Sequence, residues 1–128
     1  MSNSPPTTLM PKHTAALDYI GWEILTAWQE AHGALIGTVA CDWEPQRIII
    51  RLNDVFSLAE INLGQHPQGH VLLEQYVREL LSEICRQYTT AVRQLAHHTV
   101  AKTTIHVDPA ANLILCVFVL EQTIKYEG

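Results

Sequence analysis

From His13 to His32, Leu17, Ile20, Ile24, Ala27, Trp28 and Ala31 recur at helical spacing and form one apolar stripe, and Gly33 supplies a stop. Trp22 lies off that stripe. At about 100° per residue it faces outward with Asp18, Thr26 and Gln29. The period then shortens. "ALIGTVACDW" and "RIIIRL", separated by Glu44-Pro45, read as an antiparallel hairpin, and "TVAKTTIHV" and "LILCVFVL", linked by "DPAAN", read as a second. Between the hairpins, Leu73, Val77, Leu80, Leu81, Ile84, Tyr88, Val92 and Leu95 mark a helix running from Pro67 to about His97. The predicted fold class is α+β in two layers. A four-stranded antiparallel sheet, made of the two hairpins, packs on an N-terminal helix and one long central helix, in the order α-β-β-α-α-β-β. Residues 1–12, with three prolines and several Ser and Thr, are predicted to be a disordered arm, and residues 13–124 a single domain.

The junction "DVFSLAEINLGQHPQGH", Asp54 to His70, combines carboxylates, histidines and glycines in a mixture that could hold a metal. Its spacing favours punctuation. Ser57 and Glu60 fit the S-x-x-E capping box, in which each side chain satisfies the other's backbone N–H, and Phe56 and Ile61 stand where a hydrophobic staple forms. Gly64 ends that short helix and Pro67 suits the first turn of the next. A metal reading would use His66 and His70 with Glu60. Pro67 and Gly69 lie between the two histidines at a helix start, and spacing marks no further ligand, so no metal is expected. His97-His98 reads as the end of the long helix, where imidazolium suits the dipole.

About 30 residues at about 1.5 Å each make a helix of roughly 45 Å, against a radius of gyration near 14 Å for a domain this size. Such a helix overhangs its domain unless Thr89-Thr90 bends it or a second chain covers the excess. "LILCVFVL" is apolar on both faces, and two helices cover only one side of a sheet. Both observations predict a homodimer, with Trp22, Tyr88 and Val92 as interface residues. The wet side of the sheet offers another possibility. Arg47 and Arg51 alternate onto one face of their strand, as do Lys102, Thr104 and His106 on theirs. If the faces coincide, they form a cationic patch for a small anion, with Arg78 as a further contributor.

Composition narrows the function classes. The chain of 128 residues is 48% hydrophobic and carries 8 Lys+Arg against 13 Asp+Glu, a net charge of −5. Without a basic cluster it is a poor phosphate-backbone binder, so nucleic acid is not an expected partner. Cys41, Cys85 and Cys116 are odd in number and lack C-x-x-C spacing, which fits reduced thiols in a cytoplasmic protein. The N-terminal residues hold no apolar signal segment, and the longest apolar run, Leu113 to Leu120, is too short to span a bilayer. A soluble protein is expected. No nucleophile–base pair stands out and no cofactor is expected.

"LNDVFSLAEINLGQHPQGHVLLEQYVRELL" resembles a small bacterial family, the MpsC-like family, named after the third component of a sodium-translocating, membrane-potential-generating system. The shared features are the apolar strand into Leu52, the Ser57–Glu60 cap, Leu63, Gly69 and Arg78 ahead of a long helix. The closing hairpin "TTIHVDPAANLILCVFVL" extends the resemblance to about residues 13–121. Family members usually carry an arginine after the glycine matched by Gly69, where this chain has His70. The resemblance implies an accessory or regulatory protein that works beside a membrane system for ion or inorganic-carbon uptake, and it agrees with the lack of a nucleophile–base pair or metal set, from which a non-catalytic protein is expected. The competing expectations are a small-anion sensor and, third, a metal-dependent enzyme.

Overall fold

A computed structural model of the chain describes residues 12–121. The arm predicted over residues 1–12, apart from Lys12, and the domain's predicted end beyond Glu121 lie outside the described residues. The first helix, α1, runs Lys12–His32. Gly33 takes φ +90° and donates its N–H to Gln29 O at 2.8 Å, closing the helix as a left-handed cap that any side chain would strain. The first strand is shorter than predicted. Residues 34–37 stay irregular because Gly37 sits at φ +111°, and β1 spans Thr38–Glu44. It pairs with β2, Arg47–Asn53, through a tight link at Pro45-Gln46.

A short helix, α2, Leu58–Gly64, follows. The long helix, α3, runs Pro67–Ala96 with Pro67 in its first turn. His97 adopts φ 61° and donates its N–H to Arg93 O at 2.8 Å, so the first of the two histidines does end the helix. Then come β3, Val100–Asp108, and β4, Leu113–Leu120. The element order is the one predicted. The two hairpins join within the chain: the sheet is antiparallel throughout, in the order β1-β2-β4-β3, with Ile50 opposite Cys116 at the β2–β4 seam.

The helices lie on one side of this sheet. A Cβ on Gly21 of α1 would collide with Cys41 Sγ and meet Ile50, which shows how closely α1 approaches β1 and β2. Ile48, Ile50 and Leu52 of β2 and Ile114, Cys116 and Phe118 of β4 are fully buried against Leu17, Ile24 and Trp28 of α1 and Val77, Leu81 and Ile84 of α3. The long helix is covered on one face only. Buried residues of α3 run from Gly69 to Ala96, while Val71, Leu72 and Tyr76 near its start stay exposed, so its first turns do carry uncovered apolar surface. A second gap lies on the side of the sheet away from the helices.

Candidate functional site

Strand alternation fixes what that uncovered side presents. In sheet order its rows read Glu44, Arg47, Val119, Lys102; then Asp42, Ile49, Val117, Thr104; then Ala40, Arg51, Leu115, His106. A β-bulge between Val100 and Lys102 shifts the register of β3 and sets Lys102 opposite Val119. The centre of the face is apolar. Ile49 and Val117 are shielded by their own neighbours, while Leu113, Leu115 and Val119 remain partly exposed. A shallow depression of about 300 Å³ runs over this centre, lined by Ile49, Leu113, Leu115 and Val117 and edged by Arg47, His106, Val107 and Asp108.

The charged rim is organised by strand. On one side Arg47 Nε donates to Glu44 Oε1 at 2.6 Å, and Arg51 donates to Asp42 Oδ2 at 2.8 Å. On the other, Lys102 has no ion-pair partner among the described residues, and the His106 ring lies 3.4 Å from Thr104 Oγ1. The two faces of the anion hypothesis therefore coincide, but an apolar row from β4 separates the arginines from Lys102 and His106. Each arginine is also matched by a carboxylate. Arg78 is not on this face: it projects from α3, donating to Ile105 O at 2.5 Å and to Glu74 Oε2 at 2.7 Å. That bond to Arg78 is the main reason the Glu74 carboxyl sits below its ordinary value of 4.5.

The residues expected at a subunit contact separate. Trp22 is 51% exposed and stacks on Tyr19 at 6.5 Å, an aromatic pair on the outer side of α1. Tyr88, on α3, is half-buried; burial first, and then the negative charge of Glu23 on α1, raise its phenol. Val92 is fully buried in the chain's own core and offers no surface to a partner.

The junction from Asp54 to His70 has the predicted cap and more. Ser57 Oγ accepts the Glu60 N–H at 3.2 Å, and Glu60 Oε1 accepts the Ser57 N–H at 2.8 Å. Phe56 is buried, and Ile61 packs against the core from the other end of the staple. Glu60 has a second task. Its Oε2 lies 2.6 Å from Nε2 of His32, at the end of α1, and the two side chains are 20% and 7% exposed. A carboxylate only accepts, so the contact fixes a proton on Nε2. The ring of His32 stacks on Trp28 at 4.7 Å, while Phe56 meets Trp28 edge-on at 6.3 Å. Trp28 Nε1 and His32 Nδ1 are buried without a hydrogen-bond partner among the described residues. His32 was missed in the sequence because its partner is 28 positions away; its place at a helix end read only as punctuation.

Neither histidine of the metal reading joins this node. His66 precedes α3 without capping it through its side chain, and His70 Nε2 lies 3.9 Å from Glu74 Oε1. Among the described residues no group of three His, Cys, Asp or Glu is placed to hold a metal ion. Asn112, also missed, is a structural tie. In the turn between β3 and β4, its Oδ1 accepts the Phe56 N–H at 2.8 Å and its Nδ2 donates to Phe56 O at 3.4 Å.

Residues 24–122 match the model of the family described as Na+-translocating membrane potential-generating system (MpsC). The chain belongs to the MpsC family. The match takes in both the capped junction and the closing hairpin, so the MpsC segment includes every strand and all of α2 and α3. No curated protein and no solved structure matches the chain. The MpsC name points to a membrane system, yet no helix among the described residues is long and apolar enough to cross a membrane.

Proposed function

We propose that this chain is a dimeric, non-catalytic accessory or regulatory protein of a membrane system that moves ions or inorganic carbon, acting from the cytoplasmic side. The observation that carries the reading is the uncovered sheet face, which has an apolar middle and a mixed charged rim. A flat face of that kind suits a protein contact better than a small substrate, which needs enclosure. Membership of the MpsC family supplies the membrane system. The Tyr19–Trp22 pair, on the outer side of α1, is a second exposed surface and suits docking to the membrane component.

The test is physiological. Cells lacking this gene should lose part of a sodium-dependent membrane potential, read with a voltage-sensitive dye, and recover it with the wild-type gene. An unchanged potential in the deletion strain refutes the reading.

A small-anion sensor is the second reading, favoured by Arg47, Arg51, Lys102 and His106 sharing one face. Bicarbonate and phosphate titrations followed by thermal shift separate the two, because a binder gains RT ln(1 + [L]/Kd) of stability.

A further inference from the structure

We propose that two copies of this chain associate through the uncovered faces of their sheets, about a two-fold axis running along the strands, so that Glu44 on each copy's β1 edge lies over Lys102 on the other's β3 edge. The proposal deepens the dimer reading above and rests on it. The occupant is a second copy because the face is self-complementary. Glu44 stands on β1 at one edge and Lys102 stands in the same row on β3 at the other, while the rows beyond set Asp42 opposite Thr104 and Ala40 opposite His106, with Asp108 ending β3.

A rotation about an axis along the strands reverses their left-to-right order and keeps position along them. The row holding Glu44 at one end and Lys102 at the other then meets itself reversed, and Glu44 comes over the partner's Lys102. In the next row Ile49 comes over the partner's Val117, apolar on apolar at the centre. An in-plane axis across the strands would instead stack the acidic β1 edge over its own copy, where like charges oppose association. Four strands about 4.8 Å apart and about seven residues long at about 3.3 Å give a flat area near 440 Å² per copy. Two such faces come close to the lower limit of about 1,000 Å² for a specific contact. The association is therefore expected to depend visibly on concentration, with the charged rim setting its orientation.

Sedimentation equilibrium of the full chain at low salt, over a wide concentration range, tests this. The variants are Glu44→Lys, Lys102→Glu and the two combined, each checked for folding by circular dichroism. Each single reversal should weaken association about tenfold or more, since symmetry places the like-charge contact twice. The combined variant should return to within about threefold of wild type. Within one chain, residues 44 and 102 stand at opposite edges of the sheet, three strand spacings or about 14 Å apart. Recovery in the double variant thus reports a contact between copies. Leu115→Lys, at the partly exposed centre, should abolish association in a folded chain.

A wild type that stays monomeric at every concentration overturns both this proposal and the dimer reading. A dimer indifferent to all of these variants, or one broken by Trp22→Ala instead, keeps the dimer and overturns this interface. Single reversals that weaken association without recovery in the combined variant overturn the proposed axis.

Discussion

Replacing Glu60 tests the junction at its most connected atom pair. Ser57→Ala removes one capping bond, at Ser57 Oγ, and should cost about 1 kcal/mol. Glu60→Ala removes two acceptors at once: Oε1, which holds the Ser57 N–H, and Oε2, which holds His32 at 2.6 Å. A bond to a charged group contributes about 1.5–3 kcal/mol and a neutral one about 1, so the expected cost is about 2.5–4 kcal/mol. At about 2.1 cal/mol/K per residue, that lowers Tm by about 9–15 °C. Glu60→Gln should be milder, about 1–2 kcal/mol. Its amide oxygen can keep the Ser57 N–H, and its NH2 can donate to Nε2 once the His32 proton moves to Nδ1, at the cost of a buried N–H that has no acceptor among the described residues. Urea denaturation at pH 7 with unchanged m-values gives these numbers, and a double-mutant cycle with His32→Ala should return a coupling of about 1 kcal/mol or more. Glu60→Ala no worse than Ser57→Ala would refute the idea that the acid joins α1 to α2. Glu60→Gln as damaging as Glu60→Ala would mean that charge, rather than hydrogen bonding, carries the joint.

Two further outcomes test other parts of the fold. Asn112 sits at φ 54° and holds Phe56 by two bonds, so Asn112→Gly keeps the backbone while losing the tie and should cost about 1–2 kcal/mol. Asn112→Ala adds the left-handed penalty and should cost more; equal losses in chemical denaturation would refute the backbone part. NMR titration should find the Glu74 carboxyl below 4.5 in wild type and moved up towards that value in Arg78→Met. Because the folded value is the lower one, the pair's stabilisation is present above the ordinary pKa and fades as pH falls through the folded one. An unmoved Glu74 titration would exclude Arg78 as the cause.

The features readable from the sequence are those written in neighbouring residues. The α1 and α3 stripes repeat every three or four positions, the Ser57–Glu60 box closes over three, and each hairpin is announced by its own turn, so element order followed directly. The first strand's early start was the local error. Hydrophobicity alone extended it over residues 34–37, where the positive φ of Gly37 breaks the extended backbone. The side that α1 covers, the β2–β4 seam and the resulting strand order depend on packing between segments far apart in the chain. So do the His32–Glu60 joint, across 28 positions, and the Asn112–Phe56 tie, across 56. Alternation showed that Arg47 and Arg51 share a face and that Lys102 and His106 share another. Only the assembled sheet decided that these are the same face, that β4 inserts an apolar row between them, and that Arg78 lies apart on α3. Backbone periodicity is a property of adjacent residues, whereas a surface is made of strands brought together by a core.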